Sequence, residues 1–164
     1  MSINDFRKFL DNKKIILVGP SESLYNNNHG NFIDSFDIVC RIKKSFPLDS
    51  KFYGITGKRT DLLFTHLKIG RKEYFQNNFN QYDISVFNNN LKYIVFPFPN
   101  NIKPFSNFHR GFLKSEMFKN LKIPYISEYN DNFYKKLKQD LNNLDPKTGL
   151  MSIQFLLSFN IKQL

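Results

Sequence analysis

Residues 14–24 read KIILVGPSESL, and this stretch decides the fold. Four aliphatic residues, Ile15, Ile16, Leu17 and Val18, follow one another without polar alternation. A short apolar run of this kind belongs to a strand buried on both faces, as in a parallel sheet covered by helices. Gly19 and Pro20 end it, and Ser21, Glu22 and Ser23 make a polar turn. In open α/β sheets, ligands bind outside the carboxyl ends of the strands. Gly19 lets a ligand approach the backbone, and Ser21 and Ser23 offer hydroxyls. The same residues suit a plain tight turn with Ser21 capping a helix.

Working outward, Phe6, Phe9 and Leu10 fall at helical spacing within residues 4–12. Residues 25–31 (YNNNHGN) form a polar loop, and strands are predicted at 36–42, 61–67 and 92–98, the last stopped by Pro97 and Pro99. Helices are predicted at 71–82, at 111–121 with Phe112, Leu113, Met117 and Leu121 inward, at 131–144 opened by Asp131, and at 148–158 after the turn Asp145-Pro146-Lys147. The polar tract 77–90 reads as a surface insertion, and residues 161–164 as the start of a further strand. Strands alternating with helices predict an α/β fold, a mostly parallel sheet with helices on both faces. Residues 1–164 are expected to make one domain, with the strand begun at 161–164 leaving it incomplete at its C-terminus.

Composition narrows the function classes. With 164 residues, 41% apolar, and 19 Phe and 8 Tyr, the chain can bury a core, which excludes global disorder. Its net charge of +10 favours anionic partners such as nucleotides, nucleic acid or acidic lipid headgroups. The lysines are scattered rather than gathered into a basic, aromatic-interleaved motif, so nucleic acid is not the expected partner. A single cysteine, Cys40, excludes an internal disulfide. The first 14 residues hold no apolar stretch of signal-peptide or membrane-span type, which predicts a cytoplasmic protein.

Three further groups of residues bear on chemistry. Arg41 and Lys43 lie two apart at the end of a predicted strand, so both point to one side, as a phosphate site or as solvent-facing cations. Residues 54–61 (GITGKRTD) form a glycine-containing turn before the strand that leads to His66, with Arg59 and Asp61 expected to tie it down as an ion pair. Lys147, Thr148 and Gly149 open an apolar helix whose first N–H groups suit an anion, or simply start a helix.

Taken together, the order V-G-x-S-x-x-L, then I-D-S-x-D-x-V-x-R-x-K, then G-x-R-T-D, and far downstream P-x-T-G before an apolar helix resembles the animal-type sialyltransferase family. Residues 17–61 look like its large sialyl motif, and 146–164 like the first half of its small one. The resemblance implies a Rossmann-like sheet, a variant of the glycosyltransferase A type, and a metal-independent, inverting glycosyltransferase needing no cofactor, which transfers sialic acid or a related acid sugar from a CMP-activated donor to a glycan hydroxyl. It implies nucleotide-sugar binding by Gly19, Pro20, Ser21, Ser23, Arg41, Lys43, His66, Lys147, Thr148 and Gly149.

The chain departs from that pattern in several places. Pro20 and Ser23 stand where Asn is common, Lys43 replaces an Asn, and Lys147 replaces a Ser. Ile15 and Asn160 occupy the positions of the paired cysteines of secreted members, which fits a reducing compartment. The family's general-base His belongs to a motif beyond residue 164, which leaves His66 as the candidate base. Since such a base contributes ~10²–10⁴-fold in rate, the expectation is a chain that binds donor but turns over slowly. Two other classes fit the same residues: a non-catalytic nucleotide-binding remnant, and a basic RNA- or polysaccharide-binding protein.

Overall fold

The computed structural model describes residues 2–21, 24, 27–46, 49–65, 84–103, 105–114, 116–127 and 131–164. Five parallel strands carry the fold: β1 (Ile15–Val18), β2 (Ile38–Ile42), β3 (Leu62–Phe64), β4 (Tyr93–Val95) and β5 (Tyr125–Ile126), ordered β1-β2-β3-β4-β5. Ile15 is in register with Ile38, Cys40 with Leu62, Leu62 with Tyr93, and Ile94 with Tyr125. The fold is therefore α/β and Rossmann-like, as its apolar strands predict.

The helices are α1 (Ile3–Leu10), α2 (Gly30–Asp34), α3 (Tyr53–Thr56), α4 (Ile84–Asn90), α5 (Phe105–Leu113), α6 (Glu116–Lys119), α7 (Asp131–Asp140) and α8 (Thr148–Leu156). Period-two alternation divides the strand residues between two cores. Ile15, Ile38, Cys40, Ile42, Leu62, Phe64, Tyr93 and Val95 pack under Phe6 and Leu10 of α1 and Phe155 and Leu156 of α8. On the other face, Leu63 and Ile94 pack with Phe46, Phe87 and Leu91, while Val18 and Val39 pack with Ile33. Helices cover both faces.

Stepwise strand order with right-handed crossovers places the β1-to-β5 connections on one face, which leaves α1 and α8 the other. Beyond α8 the chain returns to the far edge of β1. The Lys14 carbonyl accepts from Ile38 N, towards β2, whereas Ile15 N donates to the Gln163 carbonyl and Lys13 O accepts from Lys162 N. Backbone groups of successive strand residues point to opposite sides, so Gln163 lies on the outer edge, in a parallel bridge with Lys14. The direction of winding reverses at β1. Such a reversal opens a crevice at the carboxyl end of the sheet.

Several expectations are corrected. Residues 84–90 of the supposed surface insertion form α4, whose one aromatic, Phe87, is buried and anchors it against Phe46, Leu63, Leu91 and Ile94. The helix expected at 111–121 starts earlier and is split into α5 and α6, and Leu113 is exposed. Residues 30–34, read partly as loop, form α2. The strand at 125–126 was not anticipated, since two residues are too short for a periodic signal. The helix expected at 71–82 lies outside the described residues.

Candidate functional site

The carboxyl ends of β1 and β2 meet the N-terminus of α8. Val18 is in register with Arg41, so Gly19 leaves the sheet beside Ile42. A Cβ added to Gly149 would lie 3.6 Å from Ile42 Cδ1, which sets the first turn of α8 on the same residue. Thus the Gly19 turn, the end of β2 and the Thr148–Gly149 turn converge on Ile42.

Lys43 does not continue the strand. It takes the left-handed conformation (φ 50°) and opens a 3-10 turn over Lys43–Ser45. A left-handed conformation costs a non-glycine residue roughly 1–2 kcal/mol, so something local must hold it. Ser45 does this. Its Oγ accepts from Ile42 N at 2.9 Å and lies 2.8 Å from the Ile42 carbonyl and 3.3 Å from that of Val18, either of which can take its proton. One hydroxyl therefore ties the ends of β1 and β2 together beneath Lys43. The sequence signal for it is a serine three residues past the strand, the spacing of a hydroxyl-stabilised turn.

Gly19 has open space around it: among the described residues an added Cβ would meet nothing within 4 Å. The contrast with two other glycines is informative. A Cβ on Gly30 would lie 2.3 Å from the Tyr53 carbonyl oxygen, and Gly57 has φ 74°. Packing demands glycine at 30 and backbone conformation demands it at 57, but among the described residues neither demands it at 19 or at 54, and of these two only Gly19 follows a strand. Pro20 and Ser21 beside it are exposed.

At α8, Lys147 is the N-cap and extended, without a side-chain cap hydrogen bond. Thr148 is buried, and its carbonyl accepts from Ser152 Oγ at 2.7 Å. The approach to this helix is pinned by Asp145, which accepts from Tyr134 Oη at 2.9 Å and from Lys138 Nζ at 2.7 Å. Lys138, then Tyr134, hold the Asp145 carboxyl below its usual range. Burial, together with the Asp145 hydrogen bond, pushes the Tyr134 hydroxyl up to about 12.

Arg41 is corrected in role. Alternation sends it to the face of Val39, away from α8, and it is fully buried. Its Nε donates to Thr60 Oγ1 at 2.9 Å and to the Arg59 carbonyl at 3.2 Å, and its Nη2 to the Thr56, Gly57 and Arg59 carbonyls at 2.6, 3.2 and 3.1 Å. The shared side expected for Arg41 and Lys43 assumed a strand running through 43, whereas β2 ends at Ile42. Arg41 holds the 56–60 turn instead. Burial lowers its guanidinium to about 10, still protonated at neutral pH.

Most of the remaining motif residues join the same lattice. Asp34 accepts from the N–H groups of Lys58 and Arg59, and Arg59 donates to the carbonyls of Asp34, Phe36 and Asp37. Arg59 and Asp61 form the expected ion pair at 3.0 Å, and Asp61 also accepts from Val39 N. These groups fasten the 56–61 turn to β2.

Ser23 and His66 lie outside the described residues. His109 is on α5, stacked between Phe96 and Tyr125, with Nε2 buried and without a hydrogen-bond partner. Burial lowers the pKa of this half-buried histidine. Among the described residues no three His, Cys, Asp or Glu side chains are grouped to hold a metal, and no helix is long and apolar enough to cross a membrane. Of the sequence-predicted site, the structure brings together Gly19, Pro20, Ser21, Lys43, Lys147, Thr148 and Gly149 around the carboxyl ends of β1 and β2, and sets Arg41 apart. Compared with protein-family models and with curated proteins, the chain matches none.

Proposed function

We propose that the chain binds a CMP-activated sugar where the Gly19 turn, Lys43 and the first turn of α8 converge, and that it is a sialyltransferase-like glycosyltransferase acting on a glycan hydroxyl. The observation that carries this reading is Gly19. It stands at the topological reversal of the sheet, at the end of β1, where among the described residues neither packing nor backbone conformation calls for glycine. A ligand pressed against the backbone supplies the missing reason.

In this reading the nucleotide lies over Gly19, Pro20 and Ser21. Its phosphate is met by Lys43 and by the N–H groups of Thr148 and Gly149, which the N-cap side chain leaves free of a cap hydrogen bond. The acceptor hydroxyl attacks the anomeric carbon in line, with its proton passing to a base and CMP leaving. His109 is not that base, because its Nε2 is enclosed. A reducing, cytoplasmic location belongs to the same proposal and rests on Cys40, the single cysteine, being buried within β2.

The test is a CMP-release assay with CMP-sialic acid and a panel of glycans, run beside calorimetric titration with CMP, UMP and GMP. Selective CMP binding with release of CMP supports the transferase. Selective CMP binding without turnover identifies a nucleotide-binding remnant of the family, and no selectivity removes the reading.

A further inference from the structure

Helix α8 is apolar on two opposite faces. Phe155 and Leu156 are buried against the sheet and Met151 against Phe96, Phe98, Phe105 and Tyr134, as the covering helix of an α/β fold requires. The outward face is apolar as well. Leu150, Ile153 and Leu157 at its end are 37%, 39% and 58% exposed. At 3.6 residues per turn these three fall within an arc of about 60°, so they form one stripe. The sequence TGLMSIQFL contains no charge. A helix on the surface of a soluble domain ordinarily turns polar residues outward.

We propose that this stripe is where the protein docks, reversibly and shallowly, on an anionic lipid surface. Three observations select that occupant. The chain carries a net charge of +10, and exposed lysines bracket the stripe in sequence, Lys147 at the N-cap and Lys162 after the helix end. Near an anionic leaflet each such lysine contributes roughly 1 kcal/mol. The stripe is purely aliphatic, whereas protein-binding hot spots favour Trp, Tyr and Arg. Three half-exposed aliphatic side chains also fall well short of the ~800 Å² per partner of a standard protein interface. A second copy of the chain is disfavoured by charge, because apposing two stripes would bring like-charged lysines together. The stripe shares Lys147 with the nucleotide site, and its aliphatic side chains are separate from it.

The experiment is sedimentation of the full chain with large unilamellar vesicles, either pure phosphatidylcholine or about one-third phosphatidylserine, over a salt series. Binding is expected on the phosphatidylserine vesicles, weakening as salt rises, and little on neutral ones. Ile153→Gln combined with Leu157→Gln should lower the partition coefficient at least ~10-fold, whereas Phe32→Gln, at an exposed aromatic on another helix, should leave it unchanged. Circular dichroism establishes that the double variant is folded. Should it not fold, the lipid and salt series on the unmodified chain decides. No binding to anionic vesicles, equal binding to neutral ones, or full binding by a folded double variant overturns the proposal. So does a concentration-dependent dimer, seen by analytical ultracentrifugation, that the double variant abolishes.

Discussion

Arg41 Nη2 donates a 2.6 Å hydrogen bond to the carbonyl of Thr56, and the same guanidinium reaches Gly57, Arg59 and Thr60. One planar fork thus anchors a whole turn to the middle of the sheet. Lysine cannot reproduce that geometry, because its three donors sit on a single atom. Arg41→Lys should therefore lower unfolding stability by ~2–4 kcal/mol, read from urea denaturation. If the residue served a ligand instead, stability would hold and only binding would suffer.

Substitution at three glycines separates the demands of the fold from those of a ligand. Gly30→Ala forces a Cβ to 2.3 Å from the Tyr53 carbonyl and should cost ~2 kcal/mol or more. Gly57→Ala, at φ 74°, should cost ~1–2 kcal/mol. Gly19→Ala meets no atom and should leave stability within ~0.5 kcal/mol or raise it slightly through the unfolded chain. Thermal melts of the three variants check the order. A melting temperature for Gly19→Ala as low as that of Gly30→Ala would mean that the turn needs glycine for its own sake.

Lys43 couples backbone conformation to charge. Lys43→Gly should relieve the left-handed strain and raise stability by up to ~1 kcal/mol, whereas Lys43→Ala keeps the strain. Both should weaken CMP binding by ~1.5–3 kcal/mol, the range for a hydrogen bond to a charged group. Lys136→Ala, at an exposed position of α7, should change binding much less. Calorimetry and chemical denaturation on the three variants read the two effects separately. Equal losses at Lys43 and Lys136 would point to general charge attraction.

His109 predicts a dependence on pH. Burial among rings lowers its pKa, so over some range the unfolded chain takes up a proton that the native one refuses. The unfolded state then binds more protons, and stability rises with pH. The contribution is complete above the unfolded-state value of about 6.5 and erodes as pH falls through it towards the lower native value. Melting temperature should fall between pH 7.5 and 5.5, and His109→Phe should flatten that slope. An unchanged slope in the variant would show that His109 is not its source.

The strands were legible because apolar runs in a covered parallel sheet leave a strong local signal. Ile15–Val18 is bounded as the sequence predicts, and Arg59 and Asp61 pair as expected. What escaped the sequence has physical causes. The two-residue period that puts Arg41 and Lys43 on one side presumes a continuing strand, and a single left-handed φ at Lys43 breaks that period. Ser45 was missed because its part depends on two carbonyls from different strands. Tyr125–Ile126 is shorter than any window in which alternation can be detected, and its pairing with β4 is a tertiary fact.

The central claim is that one nucleotide site spans the ends of β1 and β2 and the start of α8, and it is tested most directly by mapping backbone amide shifts in ¹⁵N-labelled protein during titration with CMP. The account predicts saturable changes gathered at Gly19, Ser21, Lys43, Thr148 and Gly149, with the amides of Lys135 and Lys136 on α7 unmoved. Shifts scattered over the exposed lysines, or confined to only one of the three converging segments, would contradict it.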